Sequence, residues 1–469
     1  MTKAQGRHSI WTLLAFSGTS LPLAALGLAI AVHLPRYFAS HLGVSLAVVG
    51  AAFALVRMID IPLDPALGLV MDRTRTRFGR YRVWTVIGAP ILMIALYMLF
   101  MAPEGVGQGY IMVWLLIMYL GTSILSLSHS AWAANLATDY GERARIFGIM
   151  AAVGVVGAVM VLIIPIFLDR AGASDAEGVR AMGWFLIAMT PFAVALVVWR
   201  TPEVLDARSF ADRYRASDFI GLFKHGNVWR IMGADLALSL GPGWMSALYL
   251  FYSKSKLGFT TTQSNLLLVL YILAGIAGAP LIGLLARRIS KHRALGVITT
   301  AYTLVLASLL VLPTGSFALA AVIMFLSGFL AAGFTVTTRA ITADIGDEVR
   351  LHGGKEQIGL LYALTSMTSK IAGAFSIFLT YSVLHAIGFD PKETAVNTAE
   401  AIRGLELAFL VGPIVFVGLG GACFFGYKLS AERHAEIRAE LDARDAAYDE
   451  AAVIQALTTE PANVAIRPN

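Results

Sequence analysis

Three charged side chains lie within one strongly hydrophobic stretch of this 469-residue sequence. The stretch covers residues 46–71 and contains Arg57, Asp60 and Asp64. An ionised group at bilayer depth is costly unless it is paired or faces water. A helix presents Asp60 and Asp64 on one face, with Arg57 one turn earlier. Two carboxylates suit a hard cation such as Na⁺, but like charges one turn apart also raise one pKa and favour a proton.

A buried ion pair that only stabilises packing is the structural alternative for this cluster. It would leave one of the two carboxylates without a partner, and a buried pair is weak support for stability. A second charge, Lys370, lies at the centre of another apolar stretch at 358–379. Its ammonium needs a carboxylate there, and Asp60 or Asp64 is the best candidate. We therefore predict a cation site in which Lys370 neutralises the aspartates until a cation replaces it.

Composition indicates an all-α membrane protein. The chain is 57% hydrophobic and only 14% charged, with a mean hydropathy of +0.72, whereas soluble domains have about 25% charged residues. The net charge of +6 comes from basic residues in short loops. Such a distribution determines orientation in the membrane and does not indicate nucleic-acid binding. One cysteine excludes a disulfide framework, and the first apolar run is too long for a cleaved signal. We expect a lipid bilayer and a small-molecule substrate as partners, with no protein partner evident.

Twelve stretches are long and apolar enough to cross a bilayer, which takes about 20 residues. They cover residues 11–35, 46–71, 84–102, 110–134, 147–168, 182–199, 231–252, 264–286, 294–312, 317–341, 358–384 and 405–427. Basic residues cluster at 73–82, 143–145 and 287–293, on alternate loops, so both termini are expected in the cytoplasm. The predicted domains are a six-helix bundle at 1–199, a cytoplasmic link at 200–230, a second bundle at 231–427 and a cytoplasmic tail at 428–469.

The two halves share a local pattern. Asp64–Gly68 reads DPALG and Ala279–Gly283 reads APLIG, and basic residues follow each in the second helix of its half. Six-helix repeats with a binding site at their interface are a carrier architecture.

Other polar residues are candidates for a solute site or a gate. Asp235 either faces the pathway or caps a helix end, and Arg339 is expected to pair with Asp344. Packing is the default role of intramembrane histidines and aromatics. The substrate-binding candidates are nevertheless Ser126, His129, Ser130, Trp132, Trp244 and Tyr362. A cytoplasmic gate is predicted from basic residues Arg73, Arg77 and Arg80 and acidic residues Asp139, Glu142, Asp347 and Glu348.

Three blocks resemble one transporter family. The family is that of the glycoside–pentoside–hexuronide:cation symporters. Its second helix and the following loop resemble residues 57–84, and its fourth-to-fifth loop resembles residues 131–148. Its eleventh helix, which bears a lysine, and the loop before it resemble residues 343–375. The resemblance implies the major facilitator fold, with two six-helix bundles, and alternating access in the bacterial inner membrane. The family's cation-site aspartates match Asp60 and Asp64, its helix-two arginine matches Arg57, and its helix-eleven lysine matches Lys370.

In the branch of this family that carries melibiose, charged residues bind the sugar, and these charged residues are absent from this sequence. They align with Ala24, Ser126 and Ala151, and residues 11–34 contain no carboxylate. The expected function is Na⁺- or H⁺-coupled symport of a sugar or glycoside other than melibiose and simple galactosides. The alternative is a lipid-like or amphiphilic substrate on the same scaffold. No HExxH, Walker loop or Gly-x-Ser-x-Gly elbow is present, so we expect neither an enzyme nor a cofactor beyond the coupling ion.

Overall fold

Helices form the whole framework of the computed structural model, which describes residues 8–74, 76–136, 140–203, 221–353 and 357–459. No strand occurs in these ranges. The helices are α1 (Ile10–Ser40), α2 (Leu46–Arg73), α3 (Tyr81–Phe100), α4 (Gln108–Leu136), α5 (Tyr140–Arg170), α6 (Asp175–Arg200), α7 (Gly226–Phe251), α8 (Thr261–Ile289), α9 (Lys291–Ala307), α10 (Phe317–Gly353), α11 (Ile358–Ala386), α12 (Ala399–Ala422) and α13 (Ala431–Thr459). Five π-helical residues, Ala29–His33, lie within α1.

Twelve of these helices form the membrane-spanning fold. Within the described ranges, eleven are long and apolar enough to cross a bilayer, namely α1–α6 and α8–α12. The twelfth, α7, has 26 residues, but it contains Asp235 and a proline together with several glycines and serines, which lower its hydropathy. It begins at Gly226, five residues before the predicted span.

Helix α11 occupies the central position between the two halves of the chain. It packs against α2 of the first half on one side and against α7 of the second half on the other. Helices α5 and α8 form a second contact between the halves. Residues that follow one another on α11 can therefore reach groups in different halves, and this arrangement positions the candidate site.

Glycine allows α8 and α10 to approach at backbone contact. A β-carbon at Gly278 would lie 2.1 Å from the carbonyl oxygen of Phe329, and one at Gly328 would lie 2.0 Å from that of Tyr271. No side chain fits at either position without separating the helices.

Gly278→Ala is expected to destabilise the protein by about 1–3 kcal/mol, the usual cost of overpacking a close contact. The matched control is Gly283→Ala on the same helix, where an added β-carbon meets nothing nearer than 3.9 Å. Thermal unfolding of the purified variants in detergent measures the difference. Equal unfolding temperatures for the two variants would show that the helices separate at no cost.

The C-terminal tail contains a helix that docks on the end of α10. Helix α10 continues to Gly353, twelve residues beyond its predicted span, because its charged last turns pair with α13. Arg350 donates two hydrogen bonds to the Asp445 carboxylate, at 3.0 and 2.9 Å. Ile437 and Leu441 of α13 are buried. The tail is therefore more than the solvated helix that its charge pattern indicates.

Leu441→Ala is expected to release α13 from α10, because truncating a fully buried leucine costs about 2–5 kcal/mol. Limited trypsin digestion of the folded protein should then cleave the tail much faster than in the wild type. The control is Glu440→Ala, since that side chain is about half exposed. Identical cleavage of both variants would mean that Leu441 does not hold the tail.

Some predicted features lie outside the described residues. They are Asp139, the middle of the link at 204–220 and the tail beyond residue 459. The predicted domain boundaries in these regions stay predictions.

Candidate cation and solute site

The bundle has two chemically different ends. The basic end carries the arginine-rich loop at 73–82 and the basic residues at 287–293. The opposite end carries the connections at 41–45, 101–107, 171–174, 252–260 and 387–398.

Four charged side chains meet midway between these ends. The Lys370 ammonium on α11 lies within salt-bridge distance of Asp60, at 3.4 Å, and contacts the Asp64 carboxylate directly. Arg57 Nη1 donates to Asp60 Oδ2 at 3.0 Å. Asp60 is completely buried, whereas the other three side chains are about one-fifth to one-quarter exposed. The structure thus brings together the four residues that the sequence singled out on two separate helices.

One carboxylate oxygen of this group has no partner among the residues that the structure describes. Asp60 uses both oxygens, since Oδ1 accepts from Ser123 Oγ at 3.2 Å. Asp64 Oδ2 contacts Lys370, but Asp64 Oδ1 is buried and receives no hydrogen bond from the described residues. An unpartnered buried acceptor is costly, and a cation would satisfy it.

Two prolines add further oxygens at this point. Pro62 and Pro65 lie inside α2 on either side of Asp64. Proline has no N–H, so the carbonyl oxygens of Met58 and Ile61 lose their helical donors. Carbonyl and carboxylate oxygens are ligands that Na⁺-like hard cations accept.

The four charged side chains of this site have no net charge when no cation is bound. Arg57 and Lys370 contribute two positive charges, and Asp60 and Asp64 contribute two negative charges. A bound cation adds one uncompensated charge in a region of low dielectric, unless Lys370 withdraws. Arg57 is less free to move, because its guanidinium carbon lies 4.4 Å from the centre of the Tyr119 ring.

Three adjoining cavities lie near this site. The polar cavity, of about 430 Å³, lies between α7, α10 and α11, and ten of its twelve lining residues are polar. The apolar cavity, of about 490 Å³, is formed mainly by α1, α4 and α5. A connecting cavity of about 420 Å³ shares Ser239 and Thr335 with the first and Ile272 with the second. Together they reach from one half of the chain to the other.

The six substrate-binding candidates divide between these cavities and the packed interior. Ser126, His129 and Ser130 line the apolar cavity, and Tyr362 lines the polar one. The three positions that lack the melibiose-branch charges, namely Ala24, Ser126 and Ala151, all line the apolar cavity.

The two tryptophans correct the sequence-based prediction. Trp132 is 1% exposed, and its indole donates to the carbonyl oxygen of Pro202. Trp244 is buried against Gly412 and donates to the carbonyl oxygen of Ala408 at 2.8 Å. Both indoles therefore serve packing, where a buried N–H needs a partner, and neither lines the three cavities.

A cluster of four charges closes the opposite end of the bundle. Asp175, at the start of α6, contacts Arg36 of α1 at 3.3 Å and the Lys254 ammonium that follows α7. Glu393, in the connection before α12, lies 3.3 Å from Arg36 and 3.7 Å from Lys254. This four-charge cluster joins both halves, and the Thr261 hydroxyl of α8 also donates to Asp175.

Burial and neighbouring charges shift the pKa values of two titratable groups in this region, His41 and Glu393. Burial, with help from the Arg36 charge, lowers the pKa of His41 to about 4, so this imidazole is neutral at pH 7. Burial and the neighbouring Asp175 carboxyl raise the pKa of Glu393 above its ordinary value. The formal charges of the four-charge cluster are matched, with Arg36 and Lys254 opposing Asp175 and Glu393.

The predicted gate residues at the basic end have other partners in this conformation. Asp347 contacts His434 Nε2 at 3.0 Å and Arg438 Nη1 at 3.4 Å, both on α13. Glu348 accepts from the Asn227 amide, and Glu142 accepts from the backbone N–H of His8. No ion pair links Arg73 or Arg77 to Asp347 or Glu348 in the described part of the chain. The tail therefore binds Asp347, one of the acidic residues that the sequence assigned to the arginine-rich loop.

Glu203 holds the arginine-rich loop instead. Its carboxylate accepts the backbone N–H groups of Arg80, Tyr81 and Arg82, at 2.8, 2.7 and 3.1 Å, at the start of α3. A carboxylate at a helix N-terminus is stabilising. Arg80 also donates to the carbonyl oxygen of Met71.

Sequence reasoning missed several of these residues. Ser123 lies just before the polar stretch that was singled out, with no separate signal. The four-charge cluster had a signal, since Arg36 and Lys254 are basic residues expected at the non-cytoplasmic ends of their spans, against the usual bias. The predicted pair of Arg339 with Asp344 is wrong: Asp344 pairs with Lys291, and Arg339 lines the polar cavity.

A twelve-helix bundle with buried charges at its centre and adjoining cavities between its halves defines a membrane transporter of the major facilitator class. The chain belongs to the MFS/sugar transport protein family, whose model matches residues 15–431, and within it to the glycoside–pentoside–hexuronide:cation symporters.

The relatives agree with this assignment. The isoprimeverose transporter of Lactiplantibacillus pentosus is 23% identical, with 85% of each chain covered. The glucuronide carrier protein homolog of Escherichia coli is 24% identical, covering 88% of this chain and 91% of the relative. Among solved structures, the nucleoside transporter NupG superposes with a TM-score of 0.67 at 16% identity, covering 90% of this chain and 100% of that one.

Proposed function

We propose that the protein is a secondary active symporter that couples entry of a sugar or glycoside to a cation, Na⁺ or H⁺. The observation that carries this proposal is the buried Asp64 Oδ1, which has no hydrogen-bond partner in the described part of the chain and lies beside the contact between Lys370 and Asp64. A cation that binds both aspartates takes the place of Lys370. The names of the relatives, an isoprimeverose transporter and a glucuronide carrier, support a sugar-like solute.

In this proposal the described conformation opens toward the basic end. Cross-half ion pairs concentrate at the opposite end, where the four-charge cluster lies. Near the same end, a β-carbon on Gly50 of α2 would lie 3.2 Å from the Cα of Phe378 on α11, so the two helices pack closely there. Alternating access then requires this end to separate and the basic end to close.

The proposed setting is the bacterial inner membrane, with both termini in the cytoplasm. The basic loops at 73–82 and 287–293 support an orientation with their end of the bundle in the cytoplasm. The conformation above is therefore inward-facing.

Uptake by proteoliposomes under imposed gradients tests coupling. With an inward Na⁺ gradient, or an inward proton gradient, the labelled solute should accumulate above its external concentration. Dissipating the gradient with an ionophore should reduce uptake to equilibration. Uptake that is unaffected by either gradient would contradict symport.

The apolar cavity supports a second candidate, a lipid-like or amphiphilic solute carried with the cation. Eight of its twelve lining residues are apolar. The same proteoliposomes, assayed with a fluorescent single-chain lipid, test this alternative. Cation-dependent movement of the lipid but not of sugars would favour it.

A further inference from the structure

The solute cavities have opposite chemistry at their two ends. The polar cavity carries Asp235, Arg339 and hydroxyl groups of α10 and α11. The residues that line the apolar cavity include one imidazole, that of His129, but no aspartate, glutamate, lysine or arginine. Because the connecting cavity adjoins both, one elongated molecule could contact both ends.

The polar cavity is built to bind hydroxyl groups. Asp235 Oδ2 accepts from Thr368 Oγ1 at 2.6 Å and from Ser369 Oγ at 2.8 Å, which fixes the carboxylate. Its other oxygen, Oδ1, receives no hydrogen bond from the described residues. A fixed carboxylate with a free oxygen is a strong acceptor for a ligand hydroxyl.

Arg339 supplies the matching donor. Arg339 lines the same cavity, is exposed, and has no carboxylate within salt-bridge distance in the described part of the chain. Asp235 and Arg339 together leave the cavity neutral. A neutral molecule with several hydroxyls meets both groups, whereas a charged solute would add an uncompensated charge.

The apolar cavity offers little to a sugar ring. His129 Nε2 is already bonded to the carbonyl oxygen of Phe16 at 2.8 Å, and the Ser126 hydroxyl donates to the carbonyl oxygen of Ser123. Two further hydroxyls, of Ser20 and Ser130, line this cavity, and its other lining residues are apolar. Polar groups placed here would lose hydration without full replacement, but an apolar group would gain by burial.

We propose that the transported solute is an amphiphilic glycoside. Its neutral sugar ring binds Asp235 and Arg339 in the polar cavity, and its apolar aglycone lies in the apolar cavity. This inference rests on the proposed function and names its substrate class. It also places sugar recognition in the second half of the chain, away from the positions that lack the melibiose-branch charges.

The arrangement also links the sugar to the cation. Thr368 and Ser369, which hold Asp235, directly precede Lys370, which contacts Asp60 and Asp64. When a cation displaces Lys370, this part of α11 is free to shift, and the position of the Asp235 carboxylate changes with it.

Calorimetric binding to the purified protein, without any gradient, tests the proposal with matched probes. The probes are methyl and 4-nitrophenyl glycosides of glucose, galactose and xylose. For at least one sugar, the nitrophenyl glycoside should bind about tenfold or more tightly than the methyl glycoside, because the aromatic ring is buried. Equal affinities for every pair, or no binding of any probe, would overturn the proposal.

Two variants separate the ends of the cavity. Asp235→Asn should weaken both members of the preferred pair by about tenfold or more, since it removes a charged acceptor. Ala151→Phe should fill the apolar cavity and weaken only the nitrophenyl glycoside. The control is Ala152→Phe, an adjacent exposed position that does not line the cavity.

Thermal unfolding verifies that each variant is folded, and Arg339→Gln replaces Asp235→Asn if the latter is not. The inference would be overturned if Ala151→Phe weakened the binding of both glycosides equally. It would also be overturned if replacing Asp235 or Arg339 left the affinity unchanged. Gradient-independent uptake alongside the expected binding pattern would refute only symport.

Discussion

Asp64→Asn is expected to abolish concentrative uptake, reducing accumulation driven by the cation gradient by about a hundredfold or more. The substitution removes the charge that contacts Lys370, and it replaces by a neutral amide the carboxylate whose buried Oδ1 has no partner among the described residues. Each interaction with a charged group is worth about 1.5–3 kcal/mol, and a loss of about 2.7 kcal/mol corresponds to a hundredfold change in affinity. Asp60→Asn should have the same effect, because Asp60 contacts both Arg57 and Lys370.

The measurement is gradient-driven uptake by proteoliposomes containing equal amounts of each variant. Glu104→Gln is the control, because it neutralises an exposed acidic residue in a connection at the opposite end. Its uptake should equal that of the wild type. Normal accumulation by either aspartate variant would refute the cation site. Lost uptake supports the site only if the variant unfolds at the wild-type temperature.

Reversing one charge of the four-charge cluster is expected to disable transport, and exchanging two charges is expected to restore it. Asp175→Lys places a third cation beside Arg36 and Lys254, with Glu393 as the remaining carboxylate. Juxtaposed like charges cost several kcal/mol, so uptake should fall by about tenfold or more. Adding Lys254→Asp restores two charges of each sign, and most of the uptake should return.

Cysteine labelling distinguishes a gate from a packing contact. A cysteine at Ala24, in a Cys423→Ser background, reports access to the apolar cavity. An impermeant thiol reagent applied at the opposite end should label it faster in Asp175→Lys, and at the original rate in the exchanged pair. Glu104→Lys is the control at the same end. Unchanged labelling in every variant would mean that the four-charge cluster does not close this end.

The sequence predicted the helical framework well because the signal is local. Twenty-residue apolar stretches identify membrane helices wherever they occur. The largest differences from the prediction are the earlier starts of α5, α6 and α12 and the later end of α10, and α7 is the least clearly apolar span. In α7 the polar residues that blur the span include Asp235, which lines a cavity. The extension of α10 is polar because it binds the tail, which hydropathy alone does not indicate.

Buried charges were equally visible in the sequence. Asp60, Asp64 and Lys370 stand out because each is costly in an apolar segment, and the three groups could meet only by pairing across helices. Their detailed geometry was not predictable: Ser123 and Tyr119 resemble many other polar and aromatic residues in spans. Which oxygen of Asp64 is free depends on the packing of α2 against α11.

The solute cavities were the least predictable feature. Trp132 and Trp244 attracted attention as aromatic residues, but both are buried by neighbours that lie far away in the sequence. Arg339 looked like a partner for Asp344 because the two are close in sequence. Five residues along a helix place them on different faces, and Asp344 instead meets Lys291.

Solute-induced cation movement tests the central claim most directly. Proteoliposomes without any imposed gradient receive the solute, and entry of labelled Na⁺ and the change in internal pH are recorded together with solute entry. The proposed mechanism predicts that one of the two cations enters with the solute in a fixed ratio, and that Asp64→Asn abolishes this movement. Solute entry at the wild-type rate without movement of either cation would contradict it.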